Sequence, residues 1–171
     1  MERPFETIVK SEFDFLATEF GFRLDHCKRT RGGVDVLYVN DTCGVRIDYE
    51  FREAYLFITI YKLLHGKFVD NPRPIKPDSI LTGYSLDDVL LRRAPDAIVK
   101  PAYAYGADSE YYDKERGLSL YVAQFARNLK EHVADVLSGD FTVFSSLEAT
   151  VKKRAQEGTR IGGEGGRTPN T

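Results

Sequence analysis

"CGVRIDYEF", residues 43 to 51, alternates without a fault, with Cys43, Val45, Ile47, Tyr49 and Phe51 on one side and Gly44, Arg46, Asp48 and Glu50 on the other. A side-chain period of two is the signature of a strand with one face buried and the other in water. Such one-sided strands belong to antiparallel sheets, so this stretch sets the class of the whole fold.

Reading upstream, the turn Asn40-Asp41-Thr42 separates this strand from "VDVLYV", where Val34, Val36 and Tyr38 keep the period. Before that, "TRGG" marks another turn, and "FRLDHCKR" alternates Phe22, Leu24 and His26 with Arg23, Asp25 and Cys27. Downstream, Arg52-Glu53 make a tight connection into "AYLFITIYKLL". Connections this short join antiparallel neighbours, because parallel ones need crossovers of about a dozen residues. The expectation is a four-stranded meander. Its fourth strand is apolar on both faces, with Leu56, Ile58 and Ile60 on one and Tyr55, Phe57 and Tyr61 on the other, so something must cover its second face.

Helical spacing brackets the meander. Phe5, Ile8, Val9, Phe13, Leu16 and Phe20 form one stripe that ends at Gly21; Phe15 is out of phase with it. Residues 65 to 84, "HGKFVDNPRPIKPDSILTGY", have no period and predict a long loop. "SLDDVLLRRAP" predicts a short helix with Ser85 as N-cap and Pro95 as its stop. Leu118, Val122, Phe125, Leu129, Val133, Val136 and Leu137 predict one long helix capped by Gly139. Extended backwards, that stripe brings Tyr111 into phase, with Asp108 as N-cap and Gly117 inside the helix. A last helix starts at Ser145, whose capping box with Glu148 carries it to about Gln156. The fold class is therefore α+β: an N-terminal helix, a four-stranded antiparallel meander, a long loop, and C-terminal helices packed on the sheet. Residues 1 to 157 make one domain, and residues 158 to 171 a disordered Gly-rich tail.

Composition narrows the function. The 171 residues are 42% hydrophobic and 29% charged, with a formal net charge of −2. That balance gives no global attraction to nucleic acid or to an anionic membrane. No apolar run approaches the roughly 20 residues that span a bilayer, and "MERPFETIVKSEF" shows no secretory signal. A soluble, cytoplasmic protein is expected. Cys27 and Cys43, on the first and third strands, would stand about 9.6 Å apart, too far for a disulfide.

No catalytic, cofactor or metal motif stands out. Phosphate-binding, dinucleotide and nucleophile-elbow signatures are missing, and His26, His65 and His132 have no partner at metal-ligand spacing. Arg46, Asp48 and Glu50 read as a solvated sheet face with cross-strand ion pairs, and "KRTRGG" as a polar hairpin rather than an RNA-binding segment. The remaining feature is "KPAYAYGADSEYYDKERG", residues 100 to 117. Its aromatics either lie over the second face of the fourth strand or form an acidic, aromatic contact surface for a basic partner. The candidate partner-binding residues are Tyr103, Tyr105, Asp108, Glu110, Tyr112 and Asp113.

The order of elements, together with "GLSLYVAQFARNLKEHVADVLSGDFTVFSSLEATVKKRA" at residues 117 to 155, resembles small bacterial α+β proteins of unassigned function. It also resembles some immunity proteins of polymorphic toxin systems. That resemblance implies a protein that masks a toxin and carries no catalytic residues. The resulting expectation is a non-enzymatic protein-binding domain whose partner is another protein, a toxin or a second copy of itself. The alternative is a small enzyme or ligand-binding domain with a pocket between the sheet and the 65–84 loop.

Overall fold

The computed structural model describes residues 4 to 164, with side chains described as far as residue 158. Strands β1 (Arg23–Arg29), β2 (Gly33–Val39), β3 (Cys43–Glu50), β4 (Tyr55–Lys62) and β5 (Gly83–Ser85) form one sheet in the order β1-β2-β3-β4-β5. Every neighbouring pair is antiparallel. The meander is as the alternation implies, but it has five strands rather than four. After the long loop, Gly83, Tyr84 and Ser85 pair with Tyr61, Ile60 and Thr59. Three residues that begin with glycine carry no alternation of their own; only their partner strand gives them a register.

Six α-helices complete the fold among the described residues: α1 (Phe5–Glu12), α2 (Phe15–Phe20), α3 (Leu86–Arg93), α4 (Gly117–His132), α5 (Ala134–Leu137) and α6 (Thr142–Glu164). They all contribute to one buried cluster with a single face of the sheet, where Val36, Ile47 and Ile58 lie in one cross-strand row and Tyr38, Val45, Ile60 and Tyr84 in the next. Val45, Ile47 and Leu129 are wholly buried. Truncating a residue such as Ile47 to alanine costs about 2–5 kcal/mol in a core of this kind.

The N-terminal stripe is two helices, not one. The chain leaves helical geometry at Phe13 (φ −99°, ψ 14°) and re-enters at Phe15. The break explains the phase of Phe15, whose ring meets Phe13 at 6.1 Å and Phe20 at 6.3 Å. Gly21 closes α2 with φ 69°, the left-handed cap expected of it. The long C-terminal helix is likewise divided, at Val133 (φ −128°, ψ 12°), and Gly139 follows α5 with φ 101°. The start of α6 lies at Thr142 rather than Ser145, with the Asp140 carboxylate accepting from the Thr142 N–H at 3.0 Å. Ser145 is inside the helix. The backbone stays helical past Gln156 to Glu164, and residues 165 to 171 of the expected tail lie outside the described residues.

Asn40, at the β2–β3 turn, ties sheet and helices together. Its side-chain oxygen accepts from the N–H groups of Thr42 (3.0 Å) and Cys43 (2.8 Å). Its amide donates to the carbonyls of Phe20 (3.1 Å) and Leu137 (3.4 Å), the last residues of α2 and α5. Two helix ends that lack intrahelical partners are thereby satisfied by one residue. Cys27 and Cys43 are free thiols on β1 and β3. Among the described residues no helix is long and apolar enough to cross a membrane.

Candidate interaction surface

The tyrosine-rich segment between α3 and α4 is built from short 3-10 turns, Ala102–Tyr105 and Glu110–Tyr112, instead of a backward extension of α4. Asp108 caps nothing there. Asp113 shapes the turn before the helix, accepting from the N–H groups of Arg116 (2.8 Å) and Glu115 (3.0 Å), which hold its carboxyl below the usual range. Gly117 is the first residue of α4 and not an interior one. A Cβ built there would stand 2.2 Å from the carbonyl oxygen of Tyr111, so only glycine lets the Glu110–Tyr112 turn lie on the helix start.

Rings fix the turns from beneath. Tyr105, Tyr111, Tyr121 and Phe125 meet edge to face in sequence, with centroids 5.1, 5.2 and 5.1 Å apart. Tyr121 is buried and its hydroxyl donates to the Lys100 carbonyl at 2.9 Å; the Tyr105 hydroxyl accepts from the Lys100 N–H at 2.9 Å. Burial pushes the Tyr121 phenol well above its ordinary range, so it stays a neutral donor.

All six candidate residues, Tyr103, Tyr105, Asp108, Glu110, Tyr112 and Asp113, are exposed. Tyr103 is 59% exposed and Tyr112 48%. Beside them runs a groove of about 620 Å³, floored by Tyr49, Ala102, Tyr111, Leu118 and Tyr121 and rimmed by Tyr112, Asp113, Lys114 and Glu115. The structure thus brings Tyr112 and Asp113 to the groove, while Tyr103, Tyr105, Asp108 and Glu110 do not line it. The burial reading of this segment needs correcting in one respect. Tyr111 joins the helix-covered core through Tyr121 and does not lie over the second face of β4.

That second face is covered over half its length by the β4–β5 connection. Phe68 meets the Tyr61 ring at 4.7 Å and closes over Leu37, Val39 and Leu63. Asn71 holds the far end: its side-chain oxygen accepts from the N–H groups of Thr82 (2.7 Å) and Gly83 (3.1 Å), and its amide donates to the Gly83 carbonyl at 2.8 Å. Phe57 remains 43% exposed.

A charge cluster lies on the same open face. Arg46 donates to Asp35 (3.0 and 3.4 Å) and to Asp70 (3.1 Å), and its Nε stands 3.3 Å from Asp48. His26 places its two ring nitrogens on Asp25 (3.0 Å) and Asp35 (3.1 Å), and Tyr61 donates to Asp70 at 2.8 Å. Asp35 and Asp48 stand directly opposite each other in the β2–β3 register, an unfavourable placement for like charges. Burial pushes the Asp48 carboxyl up to about 6; Arg46 pulls it back, and the charge of Asp35 raises it further. Burial also acts to raise Asp35, but hydrogen bonds from His26 and Arg46 outweigh it and hold that carboxyl low. A cleft of about 520 Å³ opens beside the cluster, lined by Asp35, Arg46, Asp48, Phe57 and Arg73 among others.

The cross-strand ion pairs of this face were legible from Arg46, Asp48 and Glu50, but the sequence did not join Asp35, Asp70, His26 and Tyr61 to them. Counting back from the Asn40-Asp41-Thr42 turn would have set Asp35 opposite Asp48. A β-bulge between Leu24 and His26 hid the side to which His26 points, because one extra residue at Asp25 reverses the alternation of β1. His26 therefore faces the open side, and Cys27 packs against the helix-covered core. Among the described residues no group of three or more His, Cys, Asp or Glu is placed to hold a metal ion. Comparison of the chain with protein-family models, with curated proteins and with solved structures gave no match.

Proposed function

We propose that the chain is a non-enzymatic protein-binding domain, with the tyrosine turns and the adjoining groove as its docking surface. The observation that carries this reading is the contrast within one segment. Tyr105, Tyr111 and Tyr121 meet ring to ring and hold the turns, while Tyr103 and Tyr112 present about half of their surface to solvent. Rigid, half-exposed tyrosines offer large amphipathic area at little cost in conformational entropy, which is why such residues dominate binding hot spots. Asp108, Glu110, Asp113 and Glu115 surround them and suit a partner with a basic surface. The narrower reading, a partner that neutralises a toxin, rests on the resemblance of residues 117 to 155 to immunity proteins.

The test is co-expression with the product of the adjacent gene, scored by growth and by titration of the two purified proteins. The native chain should bind and protect. Tyr112→Ser combined with Glu115→Lys, both exposed residues of the groove rim, should weaken binding by at least tenfold while changing unfolding stability by less than about 1 kcal/mol. Unchanged binding by that variant would remove the groove from the proposal. A second reading, a small ligand-binding domain, is favoured by the cleft between Asp48, Phe57 and Arg73, whose volume lies within the usual range of ligand sites.

A further inference from the structure

Residues 64 to 74 cross the face of the sheet that carries no helix, and three contacts hold them there; beyond them Ile75 and Leu81 pack against the helix-covered core, and the Gln156 amide donates to the Ile75 carbonyl at 3.4 Å. Phe68 sits on the apolar patch of Leu37, Val39 and Leu63. Asp70 takes hydrogen bonds from Arg46 and Tyr61. Asn71 binds Thr82 and Gly83. The first and last are neutral contacts, whereas the middle one belongs to a cluster in which a single guanidinium serves three carboxylates. Two of these, Asp35 and Asp48, stand on adjacent interior strands whose spacing is set by the ladder between them. Asp70 alone of the three stands outside the strands.

We propose that residues 64 to 74 form a strap whose hold on the sheet is set by the charge balance at Arg46. It loosens as the carboxylates there ionise, and lifts Phe68 from the patch of Leu37, Val39 and Leu63. The device lies on the opposite side of the sheet from the groove's ring stack and goes beyond the docking reading.

The sign follows from what surrounds Asp48. From β1, His26 and Lys28 approach Asp35, and from β2 Asp35 itself faces Asp48. On β3, Arg46 and Glu50 flank it, and β4 presents only Phe57, Thr59 and the Tyr61 phenol. The strap adds Asp70 and, 3.8 Å from it, Arg73. With Asp48 protonated, Arg46 is shared by two negative charges. Once Asp48 loses its proton, near pH 6, the same guanidinium faces a third, and the repulsion is relieved by moving Asp70 away. The strap is therefore tighter at pH 5 than at pH 7.5.

Hydrogen exchange on the full chain tests this, read at the amides of Thr82 and Gly83 and corrected for intrinsic rates. Between pH 5 and 7.5 their opening should rise on the order of three- to tenfold, the effect of one added unit charge at this range in a partly solvated site. The amides of Val45 and Ile47 report global opening and should not follow. Asp48→Asn should flatten the profile. Asp70→Asn should leave the strap open at every pH while the strand amides stay protected. A flat profile in the native chain, or an equal rise in the Asp48→Asn variant, would overturn the proposal.

Discussion

Asp48 shows how one residue can carry a stability cost that its neighbours impose. In the unfolded chain its carboxyl has an ordinary value near 3.8, and in the fold it keeps its proton up to about 6. Between those values the folded state binds more protons than the unfolded, so stability falls as pH rises through that window and stays lower above it. The full linkage for such a shift is about 3 kcal/mol, and screening at a side chain this open to solvent reduces it to about 1 kcal/mol. Asp48→Asn should accordingly raise unfolding stability by about 1 kcal/mol at pH 7.5 and by nothing at pH 3.5. Urea unfolding at the two pH values measures the difference; an equal gain at both would point to packing rather than charge. At this scale the sequence was readable where alternation is unbroken. Cys43, Val45, Ile47 and Tyr49 face the helix-covered side as their spacing says. It misled at Cys27, because a bulge is one inserted residue and leaves no compositional mark on either side of Asp25.

Among the elements, the helices were legible as stripes but their interruptions were not. A stripe of 3–4 spacing tolerates a short break if the next turn restores the phase, as at Phe13 and at Val133. The clue at the first break was Phe15, the single apolar residue out of phase. The N-cap of α3 was readable in full: Ser85 accepts from the Asp88 N–H at 3.1 Å. The tyrosine turns were misjudged as helix because Tyr111 is in phase with Leu118, yet the carbonyl of Tyr111 occupies the space that a side chain at position 117 would need. Gly117→Ala should therefore destabilise the fold by about 2 kcal/mol, well beyond the modest preference of glycine over alanine inside a helix. It should also alter the environment of Tyr105 and Tyr111, measured by thermal unfolding together with near-ultraviolet circular dichroism. A change in stability with unaltered aromatic signals would mean that the turns do not depend on that contact.

The molecule as a whole has one main core, shared by helices from both halves of the chain with a single face of the sheet. Lys130 reaches Glu19 at 3.1 Å, and Arg154 forks onto Asp88 at 2.8 Å through both nitrogens. Such a core predicts one cooperative transition. Far-ultraviolet circular dichroism and tyrosine fluorescence, undisturbed by tryptophan because the chain has none, should give superimposable urea curves. Separate midpoints would mean that the helices leave before the sheet. The α+β class, the antiparallel order and the helices at both ends were legible from periodicity alone. What was not legible was how the second face is closed, since Phe68, Asp70 and Asn71 lie in a proline-rich run without any period.

The shared core also bears on how the chain is made. Strands β1 to β4 are complete by Lys62, but the helix that seals α1 against them begins only at Gly117. At ordinary rates of translation that interval is on the order of several seconds. For that time the finished hairpins carry Val36, Ile47 and Ile58 under an incomplete cover of α1, α2 and α3, in reach of any other nascent chain. A ribosome-associated chaperone that screens the sheet until Tyr121, Val122 and Phe125 emerge is what this order of synthesis calls for.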